Sequence, residues 1–273
     1  MEEKKIIKRE LEKTIKQEER IIKQKNRLFL EDRVGNLKEK INRKLPFDLK
    51  KRFEQAFFKS FTMVFNKGIG IIEKTYDKEK LIKGFHEDST RFKKSVKKRN
   101  LKTAERRVKK KILLNRGIST AEGSIVGFMG IMTALADVPV FISVLIKSLN
   151  EISLHYGFDY DSENEKIYML KLISMSIAQG EKKRKVSKEI DRIGYGIDLE
   201  ESSNFQLEGV IQSTSESLAE YMSSAILMQS IPVAGFILGG LNNFGFMGNL
   251  SKTANVKYKK RYLYRMMADK VYR

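Results

Sequence analysis

Apolar and charged residues are unevenly distributed along the chain. Between Tyr221 and Ser251 there is no charged residue, although 32% of the chain is Asp, Glu, Lys or Arg. A second stretch, Gly123 to Ile146, holds a single charge, Asp137. Elsewhere apolar residues recur at three- and four-residue spacings, the period of an amphipathic helix, and the alternation of a half-buried strand is scarce. The pattern predicts an all-α protein, a multi-helix bundle. Its two glycine-bearing apolar runs, 117–149 and 221–250, are expected to pack against each other as central helical hairpins.

Taken in order, residues from Glu2 to about Leu45 read as one long polar helix with Ile7, Leu11, Ile15, Ile22 and Phe29 on its apolar side. Thr14, Glu18 and Lys25 fall at the intervening positions, which argues against a coiled coil and for an exposed or loosely packed arm ended by Pro46. Asp48 to Lys67 forms the next helix, with Phe53, Phe57, Phe58, Phe61, Val64 and Phe65 on a broad core face, broken by Gly68 and Gly70. Glu87 to Arg116 follows as one amphipathic helix. From Arg91 to Arg116 it carries thirteen Lys or Arg and one acid, Glu105. A solvated helix face ordinarily mixes both signs, and this one does not.

In the first apolar run, Gly123, Gly127 and Gly130 make a small-residue face that lets another helix approach closely. Asp137 before Val138 and Pro139 reads as a helix N-cap, with proline tolerated in the first turn. His155-Tyr156-Gly157 reads as a helix end with glycine beyond it. Ser162-Glu-Asn-Glu165 matches a capping box opening a helix to Gln179, closed by Gly180. The acidic loop Asp159, Asp161, Glu163 fails the calcium-loop pattern, because Asn164 stands where glycine is needed and Leu170 where a glutamate is needed. Basic residues recur at 181–192 and on an amphipathic C-terminal helix beginning at Ser251, which bears Lys257, Lys259, Lys260, Arg261 and Arg265.

Charge sharpens the picture. Lys and Arg total 54 against 34 Asp and Glu, a formal net charge of +20, which suits a polyanionic partner. With no cysteine, disulfides and thiolate zinc sites are excluded, and a reducing cytosol is expected. The N-terminal residues lack the apolar core of a secretory signal. Two histidines, His86 and His155, give no metal-ligand spacing, so no metal or cofactor is expected. The uncharged run 221–251 is long enough to span a bilayer, but Pro232 divides it, and Asp137 interrupts the first run. If both runs spanned, the basic cluster 181–192 would lie outside, against the positive-inside rule. Surface attachment is therefore favoured over integral spanning.

Three blocks resemble the EcsC family of bacterial proteins. They are Ala121-Glu122-Gly123 with Gly127 and Gly130 leading to Ala136-Asp137-Val138-Pro139; His155-Tyr156-Gly157-Phe158-Asp159; and Ile231-Pro232-Val233-Ala234-Gly235 through Gly239 to Leu241-Asn242. On this resemblance residues 46–273 form an EcsC-like helical domain preceded by a basic helical arm, 1–45, and the family pattern covers roughly 45–265. The resemblance implies a membrane-associated protein, in a family named after a product encoded beside an ABC transporter, whose biochemical activity is not established. Such a transporter, or another membrane protein, is thereby an expected partner.

The sequence thus points to a cytoplasmic protein, peripheral to the cell membrane, acting as an accessory or lipid-handling factor. It would dock on an anionic membrane surface through Lys93, Lys94, Lys97, Lys98, Arg106, Arg107, Lys109, Lys110 and Lys111, because cations beside long uncharged segments suit a membrane surface. Nucleic-acid binding is the alternative, since charge alone does not separate two polyanions, although no RNP-like strand, zinc-finger spacing or KH loop occurs. A further alternative is a hydrolase in which Asp137, His155 and Ser119 or Ser124 converge.

Overall fold

A computed structural model describes residues 2–24, 47–110 apart from 96, 101, 104 and 109, 135–229 apart from 202 and 203, and 235–268. Among these residues the chain is helical with no strand, as the periodicity predicts. The helices are α1 (Glu2–Lys23), α2 (Phe47–Met63), α3 (Ile69–Glu73), α4 (Lys78–Lys94), α5 (Val138–His155), α6 (Glu163–Ile177), α7 (Gly180–Asp198), α8 (Leu207–Gln229) and α9 (Gly235–Ala268), with a π-helical turn, Val64–Gly68, between α2 and α3.

The centre is built by α5, α6, α8 and α9. A row of rings ties four elements together: Phe57 of α2 against Phe141 of α5, Phe141 against Phe246 of α9, and Phe246 against Tyr221 of α8, with centroids 5.6–6.3 Å apart. The aromatic stripe read from the sequence is core: Phe53, Phe57, Phe61, Val64 and Phe65 are buried. Gly68 and Gly70 do not break this helix. The backbone widens into the π-helical turn and continues into α3, because Gly68 keeps right-handed helical geometry.

The expected continuous basic helix 87–116 is interrupted. α4 ends at Lys94, and Ser95 is extended, with φ −145° and ψ 99°. Helical residues resume at 98 and recur to 110. Ser95 is where the chain turns back, and Asn100 holds the corner by donating from Nδ2 to the Ser95 carbonyl at 2.7 Å.

The end of α5 and the start of α6 follow the sequence reading. Gly157 takes the left-handed φ of +75° just past α5. The Phe85 ring lies 2.3 Å from where a side chain there would begin, so glycine is required twice over. The Ser162 hydroxyl caps α6 by accepting from the Glu165 amide at 3.2 Å. α6 ends at Ile177 rather than Gln179. The basic C-terminal segment is not a separate helix from Ser251, because α9 runs unbroken for 34 residues from Gly235. The central hairpins are not established: residues 111–134 and 230–234 lie outside the described residues, although α5 does pack on α9 and α8 on α9.

The arm also differs from expectation. α1 packs along α9 and touches α7. Ile7 and Leu11 are buried with Phe92 and Leu263 in a small second core. Residues 25–46, the rest of the arm, lie outside the described residues.

Candidate functional site: a cationic surface over a buried ion-pair network

The polar positions that make α1 a poor coiled coil are its contact surface. Thr14, Glu10 and Glu18 are buried, and both carboxylates meet lysines of α9. Lys260 Nζ donates to Glu18 Oε2 at 2.6 Å and to Asp191 Oδ2 of α7 at 2.7 Å. Lys257, 1% exposed, bonds the other Glu18 oxygen, Asp191 Oδ1 at 2.7 Å and the Ser187 carbonyl at 2.7 Å. Lys259 bridges Glu10 and Glu105, each at 2.8 Å. One helical turn therefore ties α1, α7 and the 98–110 segment to α9.

The next residue continues the network. Arg261 holds Glu165 of α6 at 2.5 Å and Asp198 at the end of α7 through Nε and Nη2, at 2.9 and 2.8 Å, while Arg265 also reaches Asp198. Its guanidinium lies over the rings of Phe158 and Tyr168. This planar, multidentate role belongs to arginine rather than lysine. A cavity of about 500 Å³ opens between α7 and α9 above this floor, lined by Tyr168, Tyr195 and Tyr264 among others.

Burial and charge compete at each carboxyl. Desolvation pushes Glu18 up, but the ammonium groups of Lys257 and Lys260 outweigh it and hold the carboxyl below its usual range. At Glu165 burial wins over Arg261, and the carboxyl is raised. For Lys260 the loss of water is outweighed by Glu18 and Asp191, which raise it.

The basic residues of the amphipathic C-terminal helix are therefore mostly internal counter-ions. The cations of α4 and the following segment are different. Lys93, Lys94, Lys97, Lys98, Arg106 and Lys110 are exposed. Among the described residues, Arg107 is the one member of the predicted set with an acidic partner, Asp88 at 3.2 Å, and it is half-buried over Gly84. Lys109 and Lys111 lie outside the described residues. α1 adds to this surface: the Lys13 amine beside Lys98, then Lys102, push the Lys98 ammonium below its usual value. Like charges crowd here, and the acid that faces them, Glu10, lies 4.0 Å from Lys13 and is already bound by Lys259.

The model of the EcsC protein family matches residues 8–263. The chain belongs to the EcsC protein family. Among its relatives, Protein EcsC of Bacillus subtilis (strain 168) is 25% identical over 172 residues, 63% of this chain and 69% of that protein. The Uncharacterized protein YdbA of the same organism is 25% identical over 146 residues, 52% of each chain, so the match spans about half the length of YdbA. No solved structure matches the chain. The EcsC match begins at residue 8 rather than near 45, so the part of α1 that carries Glu10 and Glu18 lies inside the family's extent.

Of the residues that carry the EcsC resemblance, the structure places some and not others. Tyr156 is buried and its hydroxyl donates to Asn255 Oδ1 of α9 at 2.7 Å, beside Gly157 with its left-handed φ. Pro139 sits in the first turn of α5, and Asp137 occupies the cap position, but its carboxylate makes no capping bond. Gly235, Gly239 and Asn242 lie in the first turns of α9. Glu122, Gly123, Gly127, Gly130 and Pro232 lie outside the described residues, as do Ser119 and Ser124. Asp137 and His155 stand at opposite ends of the 18-residue α5, roughly 27 Å apart, so they cannot share a hydrogen bond. The hydrolase constellation is not assembled. Among the described residues no group of acids and histidines could hold a metal ion.

Proposed function

We propose that this EcsC-family protein is a membrane-surface protein that docks on anionic lipid through the cationic surface of α4, the 98–110 segment and α1. The observation that carries the reading is the partition of its cations. Lys257, Lys259, Lys260, Arg261 and Arg265 of α9 are paired with Glu10, Glu18, Glu105, Glu165, Asp191 and Asp198, whereas Lys93, Lys94, Lys97 and Lys98 face solvent, with Lys13 beside Lys98. Uncompensated like charge gains from an anionic surface, about 1 kcal/mol for each Lys or Arg near it. Among the described residues one helix, α5, is long and apolar enough to cross a membrane, but 67% of it is buried inside the bundle, which favours surface docking over spanning through it. An accessory or lipid-handling role fits such a position.

Sedimentation with neutral and anionic vesicles at low and high salt, with duplex DNA as competitor, tests this reading. Binding to anionic vesicles alone, released by salt and lost in a variant with Lys93, Lys94, Lys97 and Lys98 changed to Glu, is expected. Salt-sensitive binding to DNA with no vesicle binding would transfer the surface to a nucleic acid. Pelleting that resists salt and carbonate would mean that apolar segments insert deeply.

A further inference from the structure

Among the described residues the large apolar side chains that face water fall into two groups. Tyr195, Leu199 and Tyr264 lie on α7, its C-terminal cap and α9, beside the cavity over the ion-pair network, and two of the three carry a hydroxyl that suits them to water. Met63, Ile71 and Val140 are 51%, 69% and 61% exposed, carry no polar atom on the side chain, and belong to elements that pack on one another: the end of α2, α3, and the start of α5. The helical course from α2 through the π-helical turn into α3 exposes one stripe: Lys59, Met63, Lys67, Ile71 and Lys74 recur every three or four residues. α3 and the π-helical turn contact α5, and Lys147 of α5 donates to the Thr75 carbonyl at 3.0 Å, just past α3. Val144 and Val140 precede Lys147 by three and seven residues, on the α5 face that leads away from that contact.

The charges on this surface are mostly basic. From Phe57 to Ile72 the charges are Lys59 and Lys67, both exposed, and between Val138 and Leu149 the one charge is Lys147; Asp137, half-buried at the cap of α5, is the acid that borders it. The nearest acid of α3, Glu73, turns away from the stripe to accept from Lys78 at 2.8 Å and from the Tyr160 hydroxyl at 2.5 Å. An apolar stripe flanked by lysines, with no acid between Phe57 and Ile72, matches the boundary between phosphate headgroups and acyl chains. Apolar side chains enter the acyl region there, and lysine stems lie along it with their ammonium groups among phosphates. An acidic protein partner would satisfy the lysines but leaves the exposed isoleucine, methionine and valine unexplained.

We infer that the face formed by the end of α2, α3 and the start of α5 inserts shallowly into the headgroup–acyl boundary of an anionic bilayer, with Met63, Ile71 and Val140 as its apolar anchors and Lys59, Lys67 and Lys74 at the phosphates. This rests on the reading above for the bilayer as partner, but it assigns a different surface and a different force. The cationic surface attracts the molecule from a distance; this face fixes its depth and orientation.

The chain contains no tryptophan, so a single introduced one reports on its own position. Ile71→Trp and, as control, Tyr195→Trp on α7 place the probe at two exposed sites on different elements. Vesicles of mixed anionic and zwitterionic lipid, with acyl chains brominated near the headgroup, are the ligand. The expected result is pelleting of both variants, with a blue shift and bromine quenching for Ile71→Trp and neither for Tyr195→Trp. Ile71→Asp, at a site exposed enough to leave the fold intact, lowers vesicle partitioning on the order of tenfold. Pelleting without quenching of Ile71→Trp, or with quenching of Tyr195→Trp instead, overturns the inference while leaving membrane docking in place. Absence of pelleting by either variant and by the unaltered chain overturns both.

Discussion

Lys260 and Glu18 are separated by almost the whole chain and meet at 2.6 Å, in a site where each is largely shielded from water. The contact closes α1 onto α9, and Asp191 also shares both Lys257 and Lys260. Removing one partner of a buried ion pair strands the other, at a cost of about 3–5 kcal/mol. Glu18→Ala should therefore lower the unfolding free energy by about 3 kcal/mol or more in a urea titration. An unchanged midpoint would mean that α1 does not pack on α9 as described.

The same carboxyls set the response to acid. The folded-state pKa of Glu18 lies below its ordinary value of 4.5, so its contribution is complete above about pH 4.5 and is lost as pH falls through the lower folded value. Glu165 is raised, so the sign reverses. Its neutral form favours folding below about pH 4.5, and that contribution is lost as pH rises through the higher folded value. Unfolding curves from pH 3 to 7 should show Glu18→Gln with a flatter loss of stability toward acid than the unaltered chain, and Glu165→Gln with a steeper one. Slopes of the opposite order would reverse the assignment of which carboxyl is held charged.

How much of this was legible beforehand depends on the kind of signal. Phe53, Phe57 and Phe61 announce a buried face by spacing alone, and Ser162 with Glu165 announces a helix start, because both depend on residues a turn or two apart. Glu18 looked like a flaw in a weak heptad pattern. It is a contact, but its partners Lys257 and Lys260 lie some 240 positions away, and periodicity within one helix carries no information about charge on another. The basic C-terminal helix is ambiguous in sequence for the same reason. Its lysines have the composition of a membrane-facing surface and the placement of counter-ions, and only the packing of α1, α6 and α7 separates the two. Excess acid at Glu10 and Glu18, on the apolar side of an otherwise basic helix, was the one available hint.

Gly157 offers a local test of the corner between α5 and α6. Its φ of +75° disfavours any side chain, and the Phe85 ring occupies the space a methyl group needs. Phe85 in turn packs edge-on against Tyr262 of α9, so displacement of the ring disturbs the α4–α9 contact as well. Gly157→Ala is expected to cost roughly 1–3 kcal/mol, read as a lowered thermal midpoint. A companion Phe85→Ala change, which empties the space, should make the alanine less damaging than it is alone. Strict additivity of the two would show that backbone strain, and not the ring, sets the cost.

The two populations of lysine make opposite predictions when removed one at a time. Lys257 is enclosed by Glu18, Asp191 and the Ser187 carbonyl, so Lys257→Ala leaves the buried Glu18 carboxylate with half of its ammonium partners, Lys260 alone bridging it to Asp191, and should destabilise the fold by about 3 kcal/mol. Any loss of vesicle binding it shows should follow the loss of folded protein. Lys98 stands in solvent beside Lys13 and Lys102, where its own charge is disfavoured by its neighbours. Lys98→Ala should leave the unfolding midpoint unchanged or slightly raised, because a like-charge contact is relieved. It should still weaken binding to anionic vesicles by about fivefold at low salt. That difference should shrink as salt screens the surface. Equal binding by Lys98→Ala and the unaltered chain at low salt would remove this surface from the docking site, whatever its charge.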